Sequence, residues 1–593
     1  MMNKKKSSRN LPLNDGTYGV PHQPGVYAMK KYVPLLVIAC FLVLYLGSIW
    51  QRPLFIPDET RYAEIPREMI ASGDFIVPRL NGLPYFEKPV LGYWINAAAM
   101  MVFGEVPGAV RVMGALCTLL SAGLLWLLCR RAGEERTGRT AAVVFLLSGL
   151  VFAVGTYGVL DAPFSFFVML AATAFYFGYT EENRWKRAGY LAASGAAVGL
   201  AFLAKGLLGF VLPAVAILPF LAWQRDWRRI FTLPWIPLAV ALAVLTPWSI
   251  AVHNAEPHFW TQFIGVEHFQ RFVSGQGAND NRAQPFWFFL PVLLGGLLPW
   301  TLFLPAVWLG YRGKARELFT KPLLRYAACM GTLWFVLFSI SSGKLATYLL
   351  PCFPAYAVLI AAGLVRYAET GKTFREADWV FKTLFRVLLP ALIVLFAAQA
   401  FNLFAPGRIP MKYLLYWRGE SFFLPVITLM VLLLWIRMAQ EVKSGDLKFA
   451  CFCVGIGFVA FAYPAVIPAH LIRGIAPVDF LTRRAAELLT PGTLVLADDR
   501  MAVAVAWALR SDAVGVYYKK GELAYGLDRP EGAGRFYPAE NLAKLVNEGK
   551  RPIMVVTGSE KRAREMPAAP ERSIHRSGDV FLVHYRSRGE KNP

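Results

Sequence analysis

Residues 33–50 read VPLLVIACFLVLYLGSIW and directly follow Lys30, Lys31 and Tyr32. This uncharged run is long enough to cross the hydrocarbon core of a bilayer, about 30 Å, as one helix of about 20 residues. Further apolar runs of this kind lie at 108–129, 140–157, 162–179, 188–204, 206–223, 234–252, 286–310, 324–341, 346–365, 387–404, 422–436 and 449–468. They predict a mostly α-helical, polytopic membrane protein with about 13 transmembrane helices.

The composition agrees with a membrane protein and excludes a soluble one. Of the 593 residues, 56% are hydrophobic, and the mean hydropathy is +0.43. One soluble core could not bury that much apolar surface. The net charge of +23 comes from Lys and Arg clusters in every second loop, at 130–139, 184–187, 225–229, 312–321, 366–375 and 437–448. This alternation is typical of cytoplasmic loops, so no nucleic-acid partner is expected.

The loop pattern also predicts the domain boundaries and the side of the membrane on which each domain lies. Residues 1–28 are polar and predict a disordered extension, residues 29–470 the transmembrane domain, and residues 471–593 a small α/β domain. The short apolar run 90–104 is expected to lie along the membrane surface. An odd number of spans from a cytoplasmic N-terminus then places the last domain outside, in the periplasm if the membrane is a bacterial inner membrane.

The C-terminal domain shows alternating strand and helix patterns. Strands are predicted at 493–497, 552–557 and 580–585, and helices at 478–489, 500–510 and 538–548. No glycine-rich phosphate loop of the nucleotide-binding kinds occurs there. The domain is therefore not expected to drive a nucleotide-dependent machine.

Charged residues crowd the first outer loop. It contains Pro57-Asp58-Glu59-Thr60-Arg61-Tyr62 and Pro84-Tyr85-Phe86-Glu87-Lys88-Pro89. Taken singly, Asp58 could cap a helix, and Glu87 and Lys88 could be solvated loop charges. Together they indicate a site, because acids, bases and tyrosines are concentrated beside the membrane.

Three other hairpins add charges on the same predicted side. Asp161 precedes Ala162-Pro163, Lys205 lies in Ala204-Lys205-Gly206, and Lys344 precedes Tyr348. A charge at mid-membrane costs about 2.5–3.5 kcal/mol. Asp161 could instead cap a helix and Lys205 could reach the interface through its long side chain. Because all three residues are predicted on the same side of the membrane, they nevertheless favour one functional site.

A polyprenyl-phosphate sugar would suit such a site, because its phosphate lies at headgroup level and its tail in lipid. We expect Lys88, Arg61 and Lys205 to hold the phosphate, and Asp58 and Asp161 to orient the acceptor or sugar, or to remove a proton. Further candidate substrate ligands are Glu59, Tyr62, Tyr85, Glu87, Arg271, Lys344 and Tyr348. Glu87 with His268 could bind a divalent cation, although an outer-loop histidine is more often a surface or capping residue.

At these motifs the sequence resembles the GT-C class of membrane glycosyltransferases, and most closely the bacterial 4-amino-4-deoxy-L-arabinose lipid A transferases. The resemblance implies that undecaprenyl phosphate carries the aminoarabinose and that a lipid A phosphate accepts it with inversion. Asp58 would be the leading catalytic residue. Such transfer would lower the negative surface charge and with it the binding of cationic peptides such as polymyxin.

Two other functions stay open at this point. Protein O-mannosyltransferases of the same class also carry an acidic pair in the first outer loop and use a hydroxyl acceptor, which must be deprotonated. A transporter of lipid-linked sugars would also place charges among apolar helices, but near the midplane and often in repeated halves. The acids here lie at one interface, and no internal repeat is found.

Overall fold

The computed structural model describes residues 24–270, 283–370, 375–405, 408, 414–416, 420, 422–443 and 445–587. Side chains are described over the same ranges except at 24–34, 268–270, 375–377, 445–446 and 465. Most of the predicted disordered extension, Arg271 and the side chain of His268 lie outside the described residues.

The part of the chain before the C-terminal domain is helical. Its α-helices are Pro24–Ser48, Asp58–Ser72, Leu91–Phe103, Pro107–Arg131, Glu135–Leu146, Gly149–Gly155, Asp161–Thr180, Arg184–Lys205, Leu208–Trp223, Trp227–Thr232, Trp235–Ala255, Phe289–Gly296, Leu304–Tyr311, Ala315–Leu318, Pro322–Ile340, Phe353–Glu369, Arg375–Phe404, Phe423–Glu441, Gly445–Val466 and Ala469–Ile475. Shorter 3₁₀ turns cover Phe286–Phe288, Trp300–Phe303 and Ala346–Cys352, and a π-helix covers Thr261–Gln270.

Each predicted span coincides with helix, which confirms the multi-pass membrane class. Within the described ranges, nine helices are long and apolar enough to cross a membrane, or 11 if each of two bent pairs is one span. The predicted first span and 206–223 correspond to shorter apolar helices. The number thirteen is therefore not confirmed. Residues 91–103 do form a helix, of 13 residues.

The bent pairs explain why one apolar run can appear as two helices. Residues 135–155 bend by 65° and residues 286–311 by 85°. The two breaks meet, and Gly149 N donates a hydrogen bond to Leu298 O at 2.9 Å. Non-helical backbone at membrane depth needs such partners.

The basic loops gather at one end of the helices, as one register of spans requires. Arg131 pairs with Glu181 at 2.9 Å, Lys321 pairs with Glu134, and Arg325 Nη1 donates to Gln224 Oε1 at 2.7 Å. The first outer loop and the hairpins of Asp161, Lys205 and Tyr348 lie at the opposite end.

The C-terminal domain is a mixed six-stranded sheet with helices. The first two strands, β1 (Arg79–Leu80) and β2 (Leu83–Pro84), form a separate small hairpin in the first outer loop. The strands of the C-terminal sheet are β3 (Leu494–Asp498), β4 (Gly515–Tyr517), β5 (Phe536–Tyr537), β6 (Ile553–Thr557), β7 (Arg572–Ser577) and β8 (Val580–Tyr585). The sheet order is β5-β4-β3-β6-β8-β7, parallel from β5 to β6 and antiparallel beyond. Its helices are Val478–Leu488, Ala502–Leu509, Ala524–Leu527, Ala539–Glu548 and Glu560–Glu565. All three predicted strands and all three predicted helices are present, and the fold class is confirmed.

The hairpin β1–β2 joins the first outer loop to this domain. Asn81 and Gly82 have φ of 55° and 69°, as a two-residue hairpin turn with both central residues left-handed requires. Asn81 Nδ2 donates to Val514 O at 2.8 Å and Asn81 Oδ1 accepts from Val514 N at 3.0 Å. A Cβ at Gly82 would lie 2.7 Å from Asp512 O, so only glycine permits this close approach.

Glu59 anchors the helix Asp58–Ser72, here called the loop helix. Its carboxylate is fully buried and accepts from Arg52 Nη1 at 2.5 Å, Arg52 Nη2 at 3.0 Å, and Arg111 Nε and Nη2 at 2.7 Å each. The backbone N–H groups of Phe55 and Gly158 also donate to it. Burial alone would raise the pKa of Glu59, but the hydrogen bonds and charges of Arg111 and Arg52 lower it below its usual value.

This arrangement gives Glu59 a role in holding the loop helix in place. Its two oxygens already accept six hydrogen bonds from the protein. Arg111 also donates to the carbonyls of Ile49, Arg52 and Pro53 and so ties the end of the first helix to the loop. Glu59 therefore anchors the loop helix, and its predicted role as a substrate ligand stays a prediction.

Glu59→Gln should strongly destabilise the protein, because it leaves two buried guanidinium groups without their counter-charge. Breaking a buried ion pair costs about 3–5 kcal/mol. Thermal unfolding of the purified chain in detergent measures the effect, and Glu135→Gln at an exposed ion pair is the control. A Glu59→Gln protein that is as stable as the wild type but binds donor weakly would support the predicted ligand role.

Candidate active site

The loop helix presents Asp58, Arg61 and Tyr62 on one face, because residues three and four apart are neighbours on a helix. Asp58 is the first helical residue, and the N-cap position before it is occupied by Pro57. Its Oδ1 accepts from Arg61 Nη1 at 3.1 Å, and its side chain is 37% exposed. The capping interpretation is therefore wrong, and the carboxylate is open to a ligand.

Arg61 lies between the loop helix and the C-terminal domain. Its side chain is 3% exposed, and its Nη2 lies 2.5 Å from Glu522 Oε2. The Tyr85 hydroxyl donates to the same oxygen at 3.3 Å. Arg61 Nε has no hydrogen-bond partner within the described part of the chain. A buried donor of this kind calls for a partner, and a bound substrate would supply one.

Glu522 is a site residue that the sequence did not reveal. It follows Lys519 and Lys520 in the C-terminal domain, where a glutamate gives no signal of burial. Burial raises its pKa, and the charge of Arg61 opposes this without cancelling it. The C-terminal domain thus contributes a carboxylate to the face that holds Asp58.

A second pair of charged side chains joins two hairpins. Lys205 Nζ donates to Asp161 Oδ1 at 2.6 Å, and both side chains are largely buried. The same Nζ lies 4.5 Å from the centre of the Tyr348 ring. Asp161 makes no capping hydrogen bond in its helix. Residues predicted separately as acid, phosphate ligand and tyrosine thus form one cluster.

Charges from both pairs, Asp58–Arg61 and Asp161–Lys205, act on the Tyr62 hydroxyl. Burial raises the pKa of this hydroxyl, Arg61 lowers it, and Asp58, Asp161 and Glu87 each raise it further. The Tyr62 ring also stacks on Tyr93, with centroids 6.2 Å apart. Tyr93 is buried, and its hydroxyl has no hydrogen-bond partner among the described residues. Sequence reasoning did not single it out.

Two further predicted site residues, Lys88 and Lys344, donate hydrogen bonds to backbone carbonyls. Lys88 is half-buried and its Nζ donates to the carbonyl of Glu87 at 2.9 Å. Lys344 is buried and donates to the carbonyls of Gln284 and Ser341. These bonds hold the loop around Lys344, and its predicted role in binding substrate stays a prediction.

The predicted cation site is not tested, because the side chain of His268 lies outside the described residues. Among the residues that are described, no group of three or more His, Cys, Asp or Glu could hold a metal ion. Glu87 itself is buried beside Lys88. Arg271 also lies outside the described residues.

An apolar cavity of about 570 Å³ is lined in part by residues that neighbour the charged clusters in the chain. Leu147, Leu150 and Leu298 from the two helix breaks line it, together with Ile456 of the helix Gly445–Val466. Phe55 and Thr347 also line it, and Thr347 precedes Tyr348. A substrate with a charged head and an apolar tail fits this combination.

Comparisons with known proteins agree with this geometry. A family profile described as dolichyl-phosphate-mannose-protein mannosyltransferase matches residues 29–263, and one described as arabinosyl transferase ArnT, C-terminal domain, matches residues 474–584. The undecaprenyl phosphate-α-4-amino-4-deoxy-L-arabinose arabinosyl transferase of Aeromonas hydrophila is 34% identical over 92% of this chain and 97% of its own. Its namesake from Edwardsiella ictaluri is 35% identical over 94% of this chain and 100% of its own.

Solved structures give the same result. The apo crystal structure of ArnT from Cupriavidus metallidurans has a TM-score of 0.75 at 25% identity and covers 94% of this chain and 98% of its own. The structure of that protein bound to undecaprenyl phosphate has a TM-score of 0.74 at 26% identity and covers 93% and 98%. The predicted resemblance is confirmed, and the chain belongs to the family of undecaprenyl phosphate-α-4-amino-4-deoxy-L-arabinose arabinosyl transferases.

Proposed function

We propose that the protein transfers 4-amino-4-deoxy-L-arabinose from undecaprenyl phosphate to a phosphate of lipid A. The observation that carries this proposal is the buried Arg61, which pairs with Asp58 and Glu522 and whose Nε has no partner among the described residues. Phe55, which precedes the same loop helix, lines a cavity that suits an apolar tail. The names of the relatives and the bound lipid of the solved structure supply the substrates.

The reaction breaks the bond between the sugar's anomeric carbon and the donor phosphate, and an acceptor phosphate oxygen forms the new bond with inversion. The departing phosphate carries negative charge, which Arg61 and Lys88 stabilise through charge-assisted hydrogen bonds. Lys205 can turn from Asp161 toward the same phosphate. The acceptor phosphate is largely ionised near neutral pH, because its second pKa is about 6. No strong base is needed, so Asp58 chiefly orients the acceptor and sugar.

The site lies on the outer face of the bacterial inner membrane in this proposal. The basic loops around Arg131, Lys321 and Arg325 form the opposite end of the helices. An excess of Lys and Arg in short loops favours the cytoplasm. Asp58, Asp161 and the C-terminal domain are then periplasmic, where lipid A receives the sugar and loses negative charge.

A second candidate is transfer of a sugar from polyprenyl phosphate to a protein hydroxyl. The match of residues 29–263 to the mannosyltransferase profile favours it. A hydroxyl acceptor would require Asp58 to act as a general base. The match of residues 474–584 to the arabinosyl transferase profile favours lipid A instead.

Asp58→Asn and Asp161→Asn should each lower kcat/KM by about 100-fold, the scale typical of losing a preorganised charged group at a reaction centre. Transfer is measured in liposomes with the undecaprenyl-phosphate donor and either lipid A or a protein acceptor. Asp74→Asn is the control, because this loop aspartate accepts two backbone hydrogen bonds that an asparagine oxygen can also accept. Full activity of both site variants would reject the proposed centre, and transfer to protein alone would favour the second candidate.

Glu522→Gln should keep the fold, because Arg61 retains its ion pair with Asp58. It should lower kcat/KM for the donor by roughly tenfold, because Arg61 loses a charge-assisted hydrogen bond. Glu487→Gln, at an exposed ion pair of the same domain, should have no effect. Unchanged donor kinetics in Glu522→Gln, with unchanged thermal unfolding, would contradict a role for the C-terminal domain in the reaction.

A further inference from the structure

In the sheet of the C-terminal domain, the strand order reverses at β3, because later strands are added first on one side of β3 and then on the other. After β3 the chain adds β4 and β5 on one side, and β6 then pairs with the other side of β3. These strands are parallel, so their carboxyl ends share one edge of the sheet. Open α/β sheets bind ligands outside the carboxyl ends of their strands at such a reversal.

Asp498 fixes the residues at this edge. It ends β3, and its buried carboxylate accepts from the Thr557 hydroxyl at 2.8 Å, Gly558 N at 2.9 Å and Arg562 Nη1 at 2.9 Å. Thr557 ends β6, so the bonds cross the point of reversal. They hold the Arg562 side chain in place while leaving it 27% exposed.

Arg562, Tyr518 and Lys519 form what we call the cation cradle. The Arg562 guanidinium carbon lies 4.7 Å from the centre of the Tyr518 ring, and Lys519 Nζ lies 5.9 Å from it. Tyr518 has a φ of 74°, which is costly for a residue with a Cβ. Such strain is kept where the surroundings impose it, often at functional sites. Tyr518 is 43% exposed, and its ring lies near both cations.

The cradle lies next to the reaction centre. Glu522, which pairs with Arg61, is four residues after Tyr518, so their Cα atoms are within about 14 Å of each other. Gly521, which precedes Glu522, packs closely against Asp499. A Cβ atom added at Gly521 would lie 2.5 Å from the Cβ atom of Asp499. One headgroup can therefore reach both places.

We propose that the cation cradle binds a second phosphate group of the acceptor, together with the sugar that carries it. This inference rests on the proposed function, since lipid A bears a phosphate at each end of its sugar core. A guanidinium and an ammonium suit phosphate oxygens, and the face of a tyrosine ring suits the apolar face of a sugar. With one phosphate in the cradle, the other lies near Asp58, which orients it as the acceptor of aminoarabinose.

The test measures the Kd of the full-length protein in nanodiscs for diphosphorylated and monophosphorylated lipid A, without donor, and then the KM of each acceptor in transfer. The variants are Arg562→Gln, whose amide can still donate to Asp498, and Tyr518→Asn, since asparagine tolerates positive φ. Lys519→Ala removes the second cation. Lys550→Gln is the control, because this exposed lysine precedes β6 at the opposite edge of the sheet.

We expect each cradle variant to weaken binding of diphosphorylated lipid A by up to about tenfold, the scale of one charge-assisted hydrogen bond. The KM of that acceptor should rise in parallel, while the donor KM and kcat stay the same. Monophosphorylated lipid A should bind the wild type more weakly and lose little further in the variants. Lys550→Gln should behave as the wild type does.

Equal Kd values of the wild type for the two acceptors would overturn the proposal, as would cradle variants that bind diphosphorylated lipid A normally. A loss of donor use without a loss of acceptor binding would assign the cradle to the donor instead. If the wild type binds lipid A but transfers no sugar to it, the proposed function fails, and the Kd values still decide whether the cradle binds phosphate.

Discussion

The buried carboxylate of Glu59 between Arg52 and Arg111 holds the start of the loop helix, which carries Asp58 and Arg61. This one residue joins the end of the first helix, the start of the loop helix and the backbone at Gly158. A charge buried this deeply is tolerated only because each oxygen accepts several hydrogen bonds from cationic or backbone donors. It fixes the first turn of the loop helix, and Asp58 and Arg61 are held where the helices end.

The C-terminal domain packs on the first outer loop and contacts the charged residues there. It docks on the first outer loop through Asn81, whose side chain pairs with the backbone of Val514 as a neighbouring strand would. Glu522 then reaches Arg61 from the carboxyl edge of the sheet. The same edge carries the cation cradle, so in the proposed acceptor complex one headgroup would contact charged residues of the first outer loop and of the C-terminal domain.

Much of this could be predicted from sequence, because bilayers and sheets impose simple periodicities. Apolar runs and basic loops revealed the helices and their common register, and the strands of the tail were recognised where buried β-branched residues cluster. Asp58, Asp161 and Lys205 stood out because charges between apolar runs need a reason. Glu522, Tyr93 and Arg52 did not stand out, since burial by a distant segment leaves no local trace. Glu59 and Lys344 were singled out correctly as unusual, but their hydrogen-bond partners could not be known from the sequence.

The account depends on the charged hairpins and the C-terminal domain lying outside the cell membrane and the basic loops lying inside. Labelling with a membrane-impermeant thiol reagent tests this in intact cells with a permeable outer membrane. Single cysteines would replace the exposed Arg500 and Arg136 in a chain without its seven native cysteines. The account predicts that position 500 is labelled and that position 136 is labelled only after lysis. Labelling of position 136 but not 500 in intact cells would contradict it.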